Sequence, residues 1–206
     1  MSDVPPRDDE LTDLGEFAAA LIGSRFSVSP KRLGPPGPDA DQLRRMVDAA
    51  ATAPDHRELR PWRLLRIAPP QRDALADLFE AALLERDGAA GATERAEARA
   101  KAHRAPELLL AVARLSPPND DVTEPERYVT LGAALMALLL SAHAMGFGAM
   151  LTSGRALRSA RFARGLGLAD DERPVCFVSI GTPTEVRRHA RTQAIEWLAD
   201  WQPPVA

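Results

Sequence analysis

Three segments far apart in the chain carry groups that could bind a charged cofactor. Arg25-Phe26-Ser27 offers a guanidinium, which binds phosphate through two parallel hydrogen bonds, and a hydroxyl as a neutral donor. Residues 53–62 form a proline-punctuated loop that contains His56 and ends on a tryptophan at a predicted strand. Residues 146–154 turn sharply from a long apolar helix into a short strand. Each segment also has an ordinary structural explanation: a surface arginine, a loop imidazole bonded to a carbonyl, and a helix end that leads into a core strand.

Motifs of other reaction classes do not occur in the sequence. The four histidines have no metal-ligand spacing and no cysteine partner, so we expect no metal. There is no Gly-x-Ser-x-Gly elbow and no Walker A loop, and Gly165-Leu166-Gly167 lacks the third glycine of a Rossmann fingerprint. Any redox cofactor must therefore be recognised by other groups.

The elements that must position these segments follow from the hydrophobic periodicity. Capping boxes at Asp39/Gln42 and Thr123/Glu126 mark two helix starts, and Gly146 fits a helix end. Helices are predicted at 11–22, 39–50, 70–83, 93–103, 123–145 and 160–165, and strands at 62–67, 108–115, 149–152 and 175–180. Periodicity alone does not say whether the sheet is parallel.

Composition restricts the class of protein. The 206 residues fit one domain, and 45% hydrophobic with 27% charged residues is ordinary for a folded globular chain. The formal charge of -3 gives no reason to expect nucleic acid as a partner. Residues 129–154 carry no charge, yet their small residues and glycine breaks favour a buried helix over a membrane span, so no membrane is expected. Residues 1–10 form no secretory signal and are expected to be flexible, and the lone Cys176 is expected to be buried, in a cytoplasmic protein.

Together the three segments resemble the nitroreductase family of flavin oxidoreductases, particularly its small single-domain branch. Arg25-Phe26-Ser27 is similar to the family's Arg-Arg-Ser motif with Phe26 in place of one arginine, and Ala-Pro-Asp-His followed by Pro-Trp within 53–62 matches the branch closely. The resemblance covers roughly residues 14 to 198. It implies an α+β fold over residues 1–206, with a largely antiparallel sheet flanked by helices. It also implies an intertwined homodimer around the long apolar helix, with residues 182–206 as a C-terminal extension.

The same resemblance implies that FMN is the cofactor and NADH or NADPH the electron donor. In this family hydride passes to the flavin, and a nitroaromatic, quinone or similar small-molecule acceptor then takes the electrons, with no catalytic side chain. Arg25, Ser27 and Arg191 would hold the phosphate, and His56 would contact flavin across the dimer interface. The full set of implied FMN-binding residues is Arg25, Phe26, Ser27, Thr52, His56, Leu151, Thr152, Ser153 and Arg191.

Three departures bear on this expectation. The branch carries arginine where this chain has Phe26, Thr52 and Thr152, and each lost charged hydrogen bond is worth about 1.5–3 kcal/mol. We expect flavin binding to survive with altered affinity, with candidate replacements among Arg57, Arg60, Arg63 and Arg155. The alternative function is a non-catalytic dimeric flavin- or nucleotide-binding module. A third option is different flavin chemistry on the same fold, such as reductive dehalogenation or flavin fragmentation.

Overall fold

The computed structural model describes residues 8–115, 121–185 and 197–203. Its helices are α1 Asp8–Ser24, α2 Ala40–Ala50, α3 Arg72–Arg86, α4 Ala92–Ala100, α5 Glu124–Ala144 and α6 Ala160–Gly165. Its strands are β1 Leu33–Gly34, β2 Trp62–Arg66, β3 Glu107–Arg114, β4 Gly148–Thr152 and β5 Glu172–Pro183. Every predicted helix and strand is present, with ends that differ by a few residues.

The strands form one sheet in which every strand pair is antiparallel, as expected. β5 is the central strand: it pairs with β3, β4 and β1, and β3 pairs in turn with β2. β5 is longer than the predicted 175–180, because its ends continue to pair with β3 at one end and with β1 at the other. β1 lies outside the predicted strands, since two residues give no periodicity to detect.

Helices cover both faces of the sheet and divide the core in two. On one face, Leu109, Ala111 and Ala113 of β3 pack in the cluster that includes α2 and α5. On the other face, Leu108 and Leu110 pack in the cluster that includes α3, α4 and α6. The side chains of a strand alternate between faces, so a strand buried on both sides reads as a continuous apolar run. This accounts for the unbroken apolar sequence of β3.

Helix α5 buries the face that its sequence predicts, namely Leu131, Ala134, Leu135, Leu138, Leu139 and Ala142. Gly146 follows it with φ +85°, the left-handed conformation expected of the helix end. From Val129 onward the outer face is also free of charge, and Val129 itself is 72% exposed. Among the described residues, α5 is the one helix long and apolar enough to cross a membrane, a property it shares with core helices of soluble proteins.

A partly buried ion pair joins the start of β5 to β2, and it should make stability depend on pH. Arg63 donates from Nε and Nη2 to the Glu172 carboxylate, at 2.6 and 2.7 Å. These bonds outweigh burial and lower the pKa of Glu172 from 4.5 to about 2. Because the folded pKa is depressed, the stabilisation is complete above pH 4.5 and is lost as the pH falls towards 2.

We expect Glu172→Gln to remove this pH dependence, which amounts to about 2 kcal/mol of unfolding free energy after allowance for solvent screening. Urea unfolding at a series of pH values measures it. Wild type should lose stability more steeply than the variant below pH 4.5. Asp48→Asn, on the exposed side of α2, is the control that should follow wild type. Parallel curves for wild type and Glu172→Gln would contradict the prediction.

Candidate functional site

The site is built around one edge of β4. Ser27 bridges Ala149 in parallel, and the Val28 N–H donates to the Ala149 carbonyl at 3.1 Å. The Ala149 backbone groups therefore face away from β5. Along an antiparallel strand the N–H and C=O groups of successive residues point to alternate sides. Leu151, two residues after Ala149, therefore also directs its N–H and C=O away from β5. Beyond the bridge, this edge presents a hydrogen-bond donor and an acceptor to a ligand.

A cavity of about 600 Å³ lies beside this edge, on the sheet face covered by α3 and α4. Met150 and Thr152 of β4 line it together with Phe177 and Ser179, their register partners on β5. Thr152 and Ser153, two of the predicted flavin contacts, therefore lie in its wall. The Leu151 side chain belongs to the opposite face and is partly exposed, so only its backbone can serve the cavity edge.

The floor of the cavity is apolar and aromatic. Phe79 of α3 lies 5.5 Å from Phe177 between ring centroids, and Leu83 and Leu108 complete this surface. An apolar floor next to a polar strand edge is the usual composition of a small-molecule site, and the volume is within the range of such sites.

Four cations line the cavity against two carboxylates. The cations are Arg86, Lys101, Arg104 and Arg155, and the carboxylates are Glu94 and Glu97. The Lys101 ammonium lies 6.0 Å from the centre of the Phe79 ring. Burial and the neighbouring Arg104 and Arg86 lower the pKa of Lys101, against the opposing effect of Glu97. Clustered like charges beside a cavity are typical of functional sites.

Sequence reasoning named Arg155 as a candidate replacement and missed the other three cations. Arg86, Lys101 and Arg104 lie in helical or turn segments whose polar composition indicates only a solvated face. The local sequence does carry one signal, since Lys101 is one of only two lysines in the chain. Of the other proposed replacements, Arg57 donates to Asp121 at 2.8 Å and Arg63 to Glu172, so both are engaged elsewhere.

The Arg25-Phe26-Ser27 segment lies next to the start of β4. Ser27 makes the bridge to Ala149, and Ser29 and Pro30 line the cavity two residues further on. Phe26, which replaces an arginine of the family motif, packs against the buried cluster of Val28, Leu33 and Ala105. It also meets His143, near the end of α5, edge to face at 6.2 Å between ring centroids.

His56 and Thr52 lie at the other end of α5. The Nδ1 atom of His56 is 3.5 Å from Oε1 of Glu126, in the first turn of that helix. Thr52 donates its hydroxyl to the Ala49 carbonyl and so closes the end of α2. Glu126 and His143 are 17 residues apart, which is about 25 Å along a helix. Within one chain the predicted site residues thus form two separate groups.

The predictions for Arg191 and for a metal site depend on which residues the structure describes. Arg191 lies outside them, so its predicted role in phosphate binding stays a prediction. Among residues 8–115, 121–185 and 197–203 there is no cluster of histidine, cysteine and acidic side chains that could hold a metal ion.

Comparisons with known proteins agree with this architecture. The model of the nitroreductase family matches residues 22–182. The chain is 33% identical over 168 residues to "Putative NAD(P)H nitroreductase" of Haemophilus influenzae, covering 82% of this chain and 89% of that one. It is 32% identical over 168 residues to "Putative NAD(P)H nitroreductase YdjA" of Escherichia coli K12, covering 81% and 88%.

Solved structures show the same fold. A nitroreductase-like family protein from Bacillus cereus superposes with a TM-score of 0.75 at 21% identity, over 98% of this chain and 100% of that one. A protein from Desulfovibrio desulfuricans described as "a putative nitroreductase in complex with fmn" superposes with a TM-score of 0.67 at 21% identity, over 89% of this chain and 96% of that one. The expected α+β nitroreductase-like fold is confirmed. On the family match and the identity to these relatives, the chain belongs to the nitroreductase family of oxidoreductases.

Proposed function

We propose that this protein is an FMN-dependent NAD(P)H oxidoreductase that acts as a homodimer and reduces small acceptors such as nitroaromatics or quinones. The observation that carries the proposal is the cation-lined cavity beside the open edge of β4. The relatives named as NAD(P)H nitroreductases and the FMN complex of a protein with the same fold support the choice of cofactor and donor.

The residues present fit FMN. An isoalloxazine ring has donors and acceptors along one edge, which suit the Leu151 backbone and the Thr152 and Ser153 hydroxyls, and an apolar face, which suits the aromatic floor. Arg25 and Ser27, which lie beside the start of β4, would hold the phosphate. Positive charge from the cavity cations would replace in part the arginine absent at Thr152, which lines the same cavity. Phe26 and Thr52 do not line it.

When bound, FMN would accept hydride from the nicotinamide and pass electrons to the acceptor. The protein would orient the ring along the strand edge and exclude water with Phe79 and Leu83. Lys101 would favour negative charge on the ring, because its ammonium is drawn towards the aromatic floor and is partly desolvated. No side chain is needed as a nucleophile.

A homodimer would unite the two groups of site residues. Since Arg25 and His56 lie near opposite ends of α5, one flavin can meet both types of residue only if His56 comes from the partner subunit. The apolar outer faces of α5 and α1, with Val129 and Phe17 exposed, together with the exposed Trp197 and Trp201, would be covered by a second copy. Cytoplasmic location stays a prediction.

The first test is an absorbance spectrum of the full-length protein after dialysis against FMN, followed by anaerobic addition of NADH or NADPH. Retained flavin bands that bleach on addition would support the reductase. Flavin that remains oxidised would favour the non-catalytic binding module instead. Protein that retains no flavin at any FMN concentration would overturn the proposal.

Mixing two inactive variants tests the shared site. Arg25→Ala should weaken phosphate binding and His56→Ala should remove the contribution of the partner subunit, so each homodimer should be impaired. In a mixed dimer one of the two sites carries neither change. Random exchange gives mixed dimers as about half of the population, so reductase activity should recover to about a quarter of wild type. No recovery, with mixed dimers demonstrated by mass spectrometry, would place both residues in one subunit's site.

A further inference from the structure

Three arginines line the cavity without neutralisation; we name Arg86, Arg104 and Arg155 the arginine wall. Within the described parts of the chain, none of their side chains makes a hydrogen bond or an ion pair. Other arginines behave differently: Arg63 and Arg66 each bind a carboxylate through two hydrogen bonds. The wall is therefore a set of guanidiniums free to bind an anion.

Two of the three nearby carboxylates have other partners, and the third, Glu97, lines the cavity and acts on Lys101. On the same pair of helices, Glu80 of α3 pairs with Arg95 and Arg99 of α4, and these bonds lower its pKa. Glu94, which does line the cavity, accepts the Gly91 N–H at 2.9 Å in the capping of α4. Arg95 and Arg99 are therefore neutralised by Glu80 of α3. The side of the helices that faces the cavity carries more positive than negative charges.

The backbone around Arg104 is fixed by the buried Arg72. Arg72 is 5% exposed and donates to the carbonyls of Ala102, Ala105 and Pro106, at 2.7, 3.3 and 3.2 Å. These three acceptors lie on either side of Arg104 in the segment that leads into β3. A backbone held by several charged hydrogen bonds keeps the Arg104 segment in place before any ligand binds, which lowers the entropy cost of binding at this arginine.

We propose that the arginine wall binds the anionic group, a phosphate or a carboxylate, of the redox substrate. The inference rests on the proposed function, because the wall shares its cavity with Thr152, Ser153 and the aromatic floor assigned to the flavin. Guanidiniums bind both anions through two parallel hydrogen bonds. Two sources supply this chemistry: the 2′-phosphate of NADPH, which NADH lacks, or an acid group on the electron acceptor.

The two half-reactions separate these sources when each is followed by stopped-flow absorbance of the FMN-loaded enzyme. Reduction is measured with NADPH and with NADH, and reoxidation of the reduced enzyme with 4-nitrobenzoate and with the neutral 4-nitrobenzyl alcohol. We expect at least one anionic partner to react about tenfold faster or more than its neutral counterpart, as a charged hydrogen bond implies. The preference should decrease at high ionic strength.

Arg86→Gln combined with Arg104→Gln should reduce that preference at least tenfold, with FMN occupancy and the thermal midpoint recorded for each variant. If the double variant does not fold, Arg155→Gln alone should also reduce the preference for the anionic partner. Arg45→Gln, at an exposed position of α2 outside the cavity, removes one positive charge, as Arg155→Gln does, and should keep the wild-type preference.

Equal rates for the charged and neutral partners in both half-reactions of wild type would overturn the inference. So would a preference that persists in the wall variants. The proposed function fails in a different way, through wild-type protein that takes up no FMN or is reduced by neither nicotinamide. In that case the inference fails with it.

Discussion

Replacing Lys101 by methionine should slow reduction of the bound flavin about ten- to a hundredfold, as expected for loss of one charged interaction in a partly desolvated site. The lysine is the cavity cation that lies over the Phe79 ring. On the proposed function, its charge would lie beside the flavin ring, where negative charge develops during reduction. Methionine keeps the length and apolar character of the side chain. Anaerobic stopped-flow with saturating NADH or NADPH measures the rate.

The same substitution should lower the midpoint potential of the bound flavin by about 30–60 mV, because each 30 mV of a two-electron couple corresponds to about 1.4 kcal/mol. The chain offers a matched control: Lys31→Met changes the only other lysine, which lies exposed on the 3-10 turn Pro30–Arg32. An unchanged potential in Lys101→Met, with FMN fully bound, would show that this ammonium does not act on the flavin.

Replacing Arg72 by methionine should cost about 3–5 kcal/mol of unfolding free energy. Its buried guanidinium donates to four carbonyls, those of Ile67, Ala102, Ala105 and Pro106. Methionine fills a similar volume and leaves these acceptors without their donor, at about 1 kcal/mol or more each. Chemical denaturation measures the loss.

A control variant and an FMN-binding measurement accompany the Arg72→Met experiment. Arg45→Met on exposed α2 should change stability by about 0.5 kcal/mol or less. The FMN dissociation constant of Arg72→Met should rise, since the loosened segment carries Lys101 and Arg104. A loss of stability below about 1 kcal/mol would mean that water or a backbone shift satisfies the carbonyls.

Local signals were predicted well from the sequence. Asp39 and Gln42 form the expected capping box, with Oδ1 of Asp39 accepting the Gln42 N–H at 2.8 Å and Oε1 of Gln42 accepting the Asp39 N–H at 3.0 Å. Glu126 likewise accepts the Thr123 N–H at 2.7 Å. Caps depend on residues three positions apart, so the sequence contains all the information that they require.

The cation-lined cavity could not be predicted in the same way. Whether an arginine is neutralised depends on which acids the fold brings near it, as when Glu80 of α3 takes Arg95 and Arg99 of α4. A match to sequence motifs also does not tell whether the residues of two motifs lie close together within one subunit. Arg25 and His56 both match the family, yet α5 separates them.

Cys176 is the one cysteine of the chain, and its labelling can measure how often the folded core opens. Cys176 pairs with Ala111 in the middle of β5, and burial raises its pKa to about 11. A thiol reagent therefore reaches it as a thiolate only when the core between the sheet and helices α2 and α5 opens. The rate of labelling relative to that of a free peptide thiol gives the fraction of molecules open at equilibrium when closing is faster than labelling. Variants such as Arg72→Met can thus be ranked in native buffer, without denaturant and without an introduced probe.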